Sequence, residues 1–447
     1  MIAHGWALAL AWAAASAAHG GDAANDGPSR LGGPATVDVD GPGAFSLPVP
    51  GLSREDRRAF SVGNSLFRDN WVVAPASAVG RDGLGPLFAA SSCSACHAED
   101  GRGAPPVGDP MPPAGWIVLV SPEATDGAPH PVYGKQLQDR AVPGVRPEAG
   151  IRLEPERVPG RHADGTPFEL ERWRIRVVDP AYGDTGPIRL SLRIGPQLVG
   201  GGLLEAVDEA TITAREDPED RDGDGVSGRA HRVGGRVGRF GWKASQATLE
   251  DQVQAAFHED MGITSPRFPE ESLTVHQAER VHEPSGGSPE VDGAKVARVA
   301  HYCRTLAVPA QRGGDDVERG RVLFARIGCT SCHVPEMRTG TGSPVEALRG
   351  VAFRPYTDLL LHDMGDGLAD GRRDGEATGR EWRTPPLWGI GLVPTVNGHS
   401  RYLHDGRARS LEEAVLWHGG EAQRSRDVFS ALEAAERRAL LAFLASL

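Results

Sequence analysis

The chain has 447 residues, with 48 Lys+Arg against 60 Asp+Glu and a net charge of −12 at pH 7. That balance, with no basic tail, excludes nucleic acid and anionic membrane surfaces as natural partners. The length implies about three structural units with ample core. The 58 Gly and 35 Pro make the chain loop-rich without low complexity. Five cysteines are an odd number and too few for a disulfide scaffold.

In chain order, residues 6–18 form an apolar, Ala-rich run of signal-peptide length. Ala15-Ser16-Ala17 supplies a small-residue cleavage site. Residues 1–18 therefore read as a signal peptide and the mature protein as exported to the periplasm; a disordered Ala-rich start is the alternative. No later segment offers the roughly 20 apolar residues a membrane span needs, so an integral membrane protein is not expected. Residues 19–58 read as a linker, 59–310 as a first domain and 311–447 as a second.

Two CxxC pairs each run into histidine: Cys93-Ser94-Ala95-Cys96-His97 and Cys329-Thr330-Ser331-Cys332-His333. Two thiols three positions apart can add to both vinyl groups of one haem, and the next residue, His97 or His333, is then aimed at the iron. A chance CxxCH is expected on the order of 10⁻³ times per chain, so two together imply two covalently bound haem c groups. Structural zinc would need two more nearby ligands, and a thioredoxin-like redox pair would explain neither histidine. Porphyrins also account for the scarcity of aromatic side chains, 6% of the chain, by filling core volume themselves. Only Lys135, Lys243 and Lys295 are lysines; the remaining cations are arginines, whose forks suit carboxylates such as haem propionates.

The surroundings of the two motifs read as a repeat. Residues 317–327 form an amphipathic helix ahead of Cys329, and 427–447 a closing helix with Leu440, Phe443 and Leu444 on one face. Gly63 to Phe67 parallels Gly320 to Phe324, and 293–306 parallels the closing helix. In that register Tyr302 matches Phe443 and Cys303 matches Leu444, so Cys303 reads as a buried, inert thiol. Alternation in 172–177 and 188–194, joined by the turn-rich 179–187, predicts a β-hairpin. It would belong to a loop-rich insertion, about 105–200, in the first domain. The expected fold class is mainly α: two c-type cytochrome-like haem domains, the first carrying a small antiparallel sheet.

Several longer motifs carry a resemblance. They are Asp82-Gly83-Leu84-Gly85-Pro86-Leu87-Phe88, Asp222-Gly223-Asp224-Gly225-Val226-Ser227-Gly228-Arg229 and Gly238-Arg239-Phe240-Gly241-Trp242-Lys243-Ala244. Further on come Leu361-His362-Asp363-Met364-Gly365, Trp382-Arg383-Thr384-Pro385-Pro386-Leu387-Trp388 and Leu403-His404-Asp405-Gly406-Arg407-Ala408. From roughly Phe60 onward the chain resembles the bacterial di-haem oxidoreductases of peroxidase type. Those are relatives of the di-haem cytochrome c peroxidases and of the di-haem enzyme that matures methylamine dehydrogenase.

The resemblance implies that His418, after the helical stretch 411–417, is the second axial ligand of the C-terminal haem. The peroxidases have methionine there, and histidine should lower that haem's potential. It implies Trp242 as a relay between the haems, and Asp260 or Glu259 as the acid/base that moves a peroxide proton at haem 1. His258 or Met261 ligating that iron, and Met364 ligating the other, are alternatives. Arg383 is a candidate propionate partner. Asp220, Asp222 and Asp224 alternate as in a calcium loop, although the closing Glu is replaced by His231, so an Asp-rich turn is the competing reading.

The expected function is an exported di-haem c-type oxidoreductase, peroxidase-like. Electrons would pass from a bis-His haem 2 to a reactive haem 1 that reduces hydrogen peroxide or a similar small oxidant. A periplasmic donor protein or protein substrate would be the partner. A non-catalytic di-haem electron carrier is the alternative, and a thiol oxidoreductase acting through CxxC is a third reading.

Overall fold

The computed structural model describes residues 29–78, 80–107, 115–125, 127–281 and 284–447; the expected signal peptide lies outside them. The helices of six residues or more are α1 (Arg54–Arg68), α2 (Leu249–Met261), α3 (Gly293–Arg304), α4 (Val317–Arg326), α5 (Leu411–Leu416), α6 (Gln423–Ala431) and α7 (Ala434–Ser446). Their starts are written in the sequence. Ser53, Thr248, Asp292 and Ser410 each accept a backbone N–H from the third residue onward, satisfying a donor the helix leaves free.

The expectation of a mainly α architecture does not hold. About 30% of the chain is helical and 18% lies in strands, spread over many small sheets. The helices take the stretches beside the two CxxCH motifs. The long Gly- and Pro-punctuated connections pair with one another as short ladders, because their backbone groups need partners once covered.

The predicted hairpin is also corrected. Both strands exist, but they do not pair. β3 (Pro167–Val178) pairs antiparallel with β2 (Gly150–Arg161), and β4 (Ile188–Ile194) pairs with β1 (Trp116–Pro122). The long ribbon β2–β3 has Ile151 and Leu153 opposite Val177 and Ile175 on its half-buried side. Arg152, Glu154 and Glu156 face Arg176, Arg174 and Arg172 on the other. The ribbon leans on the C-terminal half: the Trp173 indole donates to Asp405 O at 3.1 Å, and Arg401 pairs with Glu171 and Arg437 with Asp164. The predicted closing helix is two helices, α6 and α7, because Leu432 and Glu433 are extended and Glu433 O caps the next helix.

Two helix crossings frame the motifs. α1 packs on α3 and α4 on α7, each at a glycine. A Cβ on Gly63 would lie 2.2 Å from Arg298 O and 2.7 Å from Tyr302 Cβ. One on Gly320 would lie 2.0 Å from Ala439 O and 2.7 Å from Phe443 Cβ. Both pairs close to backbone contact, which only glycine permits. Phe60, Phe67, Phe257 and Tyr302 centre one core cluster; Phe324, Leu440 and Phe443 belong to a larger one that also holds Val118, Val120, Leu192 and Ile194 of the small sheet. No helix among the described residues is long and apolar enough to cross a membrane.

Candidate functional site

Each CxxCH begins as a single turn of helix, Cys93–Cys96 and Cys329–Ser331, which sets the two thiols on the same side. His97 and His333 follow, each N–H bonded to the carbonyl of the first cysteine, at 3.0 and 2.9 Å. Burial pushes Cys93, Cys96 and Cys329 up to about 12 and raises Cys332. The thiols are therefore protonated and poorly nucleophilic, which disfavours the thiol-exchange reading.

Three histidines share one arrangement. The Nδ1–H of His97 donates to Pro196 O (2.8 Å), that of His333 to Tyr356 O (2.9 Å) and that of His418 to Ala414 O (2.7 Å). A carbonyl only accepts, so each ring carries its proton on Nδ1 and keeps the Nε2 lone pair for a metal. Burial lowers all three, His333 to about 4 with His418 adding to the effect, and so keeps them neutral. Other histidines spend their nitrogens differently: His231 donates to Lys243 O and accepts from Glu376 N, and His399 bonds at both nitrogens.

His333 and His418 line one cavity of about 430 Å³ together with Cys329, Cys332, Met364, Trp242 and Arg383. The chemistry of this lining fits a haem. It offers two thiols, two Nε2 lone pairs and two buried arginines, Arg102 and Arg383, that have no carboxylate in hydrogen-bond reach among the described residues. Arg383 spends Nε and one Nη on Gly241 O and Thr384 O, and burial pulls it down to about 10. Such a cation suits a propionate.

Trp242 stands between the two motifs. Its ring lines the cavity, with the Arg102 guanidinium 5.2 Å from its centroid, and its indole N–H donates to Ile194 O at 2.8 Å. From Ile194 the backbone runs through Gly195 to Pro196, whose carbonyl holds His97. A Cβ at Gly195 would sit 2.9 Å from His97 Cε1, so the strand passes the imidazole at contact distance. Three covalently linked residues thus join the cavity wall to His97.

At the first motif the two candidate acids separate. Glu259 is engaged by Lys135 Nζ at 2.6 Å. Asp260 has no ion pair among the described residues; Gln136 Nε2 donates to it at 3.0 Å, and burial pushes it up to about 7 against the more distant pull of Lys135. It lies close enough to Cys93 and Cys96 for its charge to raise both thiols. A group titrating near neutrality can both take and return a proton. His258 stacks on Phe268 at 4.7 Å and bonds Glu270 O, and Met261 is buried.

The acidic loop differs from expectation. Asp217, Asp220 and Asp222 bring carboxylates within 4.8 Å of one another, while Asp224 instead caps Val226 N at 2.8 Å.

Sequence reasoning missed several participants. Gln136, which holds Asp260, sits in a segment with no motif. His362 lies buried between Asp358 (2.8 Å) and Glu421 (2.7 Å), with Cys332 Sγ at 3.5 Å; burial opposes its charge, but these hydrogen bonds hold it well above the usual histidine range. Its motif was visible, its role was not. His404 stacks on Trp382 at 3.7 Å in the same cavity, and Lys243, fully buried, bonds Asp370, Arg372 O and Thr378 O above that tryptophan.

The family model described as "Di-haem oxidoreductase, putative peroxidase" matches residues 28–115 and 182–447. No curated protein and no solved structure matches the chain. The unmatched stretch between the two blocks contains β1, the ribbon and Gln136. With both CxxCH motifs, all three Nε2-bearing histidines and Trp242 inside the matched blocks, the chain belongs to the di-haem oxidoreductase family.

Proposed function

We propose that this oxidoreductase is an exported, periplasmic peroxidase-like enzyme with two covalently attached haem c groups, one on Cys93/Cys96 and one on Cys329/Cys332. A bound haem supplies an iron that exchanges single electrons and, at an open position, binds a small oxidant such as hydrogen peroxide. His333 and His418 would hold the second iron, and Arg383 with Arg102 would meet propionates. His97 would hold the first iron. Asp260, kept in place by Gln136, would take a proton from the bound peroxide and return it to the departing oxygen. Trp242, Ile194, Gly195 and Pro196 would carry electrons from the second site to the first, after delivery by a periplasmic donor protein. Calcium at Asp217, Asp220 and Asp222 is an accessory part of the proposal.

The observation that carries the reading is the asymmetry between the sites: paired imidazoles at the second motif, and an acid titrating near neutrality at the first. The test is an electronic and EPR titration of the purified protein with peroxide. One haem that is high-spin or peroxide-reactive beside one low-spin haem is expected. Two low-spin irons inert to peroxide would instead leave an electron carrier.

A further inference from the structure

The two helix crossings repeat one aromatic path to the proximal histidine and differ at its end. The Phe67 ring lies 6.3 Å from His97 and 5.2 Å from Tyr302; the Phe324 ring lies 6.1 Å from His333 and 5.3 Å from Phe443. The second path also meets a phenol, Tyr356, 6.0 Å from Phe324 and 5.6 Å from Phe443, but only in the first is the phenol hydrogen-bonded to a carboxylate. Tyr302 is fully buried, and its hydroxyl donates to Asp100, 2.8 Å from each carboxylate oxygen. Asp100 is itself only 3% exposed, accepts from Ser46 at 2.6 Å, and has no ion pair among the described residues. Glu99 and Asp100 both hold positive φ, 50° and 58°. Two successive non-glycine residues in that region store strain, at the turn that presents the Asp100 carboxylate to Tyr302 and Ser46.

The second half lacks this device. Three residues after His333 stands Glu336, exposed and paired with Arg354 at 3.1 Å. Tyr356, 6.0 Å from Phe324, has a hydroxyl with no hydrogen bond among the described residues. A phenol gives up an electron readily only if its proton can leave at the same time, and a base already in hydrogen-bond contact provides for that.

We propose that Tyr302 is a redox-active tyrosine, with Asp100 as its proton acceptor, that supplies one of the two electrons for peroxide reduction at haem 1. This rests on haem 1 being the peroxide-reducing site. Hydrogen peroxide takes two electrons and two solvent protons to become two waters; the haem iron gives one electron and Tyr302 the other, by way of Phe67. As Tyr302 loses its electron its O–H bond breaks and the proton moves to an Asp100 oxygen, leaving a neutral tyrosyl radical and a protonated carboxyl. Two electrons arriving one at a time from the donor protein by way of the second haem close the cycle: one, with return of that proton, restores Tyr302 and Asp100, and the other returns the haem 1 iron to its starting state.

The experiment is rapid-freeze EPR of the di-haem protein mixed with equimolar hydrogen peroxide, with the optical change at haem 1 followed in parallel. A tyrosyl signal is expected that narrows on ring-deuterated tyrosine, disappears in Tyr302→Phe, and persists in Tyr356→Phe. Asp100→Asn should lower its yield about tenfold. Phenylalanine already fills the matching place at Phe443, so Tyr302→Phe should fold, and the optical response of its haem 1 to peroxide should remain. An optical response with no tyrosyl signal, or a signal unchanged in Tyr302→Phe, overturns the inference alone. No optical response at haem 1 overturns the proposed function, and this inference with it.

Discussion

The halves around Cys93–His97 and Cys329–His333 use the same crossing of two helices at a glycine, yet they surround their motifs with different chemistry. The C-terminal half faces His333 with His418 in a cavity that also holds two buried arginines. The N-terminal half places Asp260, with its carboxyl pushed up to about 7, beside Cys93 and Cys96, and Tyr302 with Asp100 behind Phe67. The shared part is the helix contact that aims the histidine. The differing part is what the connecting segments bring to it. Under the proposed function one framework would serve both an electron store and a proton-handling site, since function rests on the grafted groups rather than on the fold.

The harshest way to break the comparison is to remove one motif. Replacing Cys329 and Cys332 by serine should reduce covalent haem from two to one per chain, read by haem staining and iron content, while peroxide still reacts at the other. The matching Cys93/Cys96 change should leave a haem that no longer reacts with peroxide. Next, Asp260→Asn should lower peroxide reduction about 10²–10⁴-fold with both haems retained. In the parent protein the rate should rise as pH increases through about 7, since the proton-accepting form of Asp260 exists only above its raised pKa. A profile flat across pH 5–8 would remove Asp260 from that role.

A sharper, smaller perturbation is His418→Ala, which should turn the second haem from low-spin to high-spin in the EPR spectrum and leave the first unchanged; an unaltered spectrum excludes His418 as ligand. The smallest effect tests the repeat itself. Phe443→Tyr puts a buried hydroxyl where no carboxylate waits, and should cost about 1–3 kcal/mol in urea unfolding. Peroxide should then yield no new radical from the second half.

Much of the site was legible because it is local. CxxCH fixes thiols and histidine on one turn, and Gly63 and Gly320 mark the crossings by their matching place ahead of each motif. His418 was legible only through the resemblance, as the residue after α5. The pairing of β2 with β3 was not legible, since alternation says which residues share a face but not which strand lies alongside. Gln136 and Lys135 were invisible for a similar reason. Both lie more than a hundred positions from the acids they hold, in the stretch outside the family match.

The sequence alone determined the two CxxCH motifs with their histidines, the caps that start the helices and the acidic balance of the chain. Each depends on neighbours within a few residues or on summed composition. The tertiary structure decided which acid is held by lysine and which is left to titrate near neutrality, because desolvation and charge depend on what packs around a carboxyl. It also decided that Trp242 reaches His97 through Ile194 and Pro196, and that a tyrosine and an aspartate two hundred residues apart form one hydrogen-bonded pair.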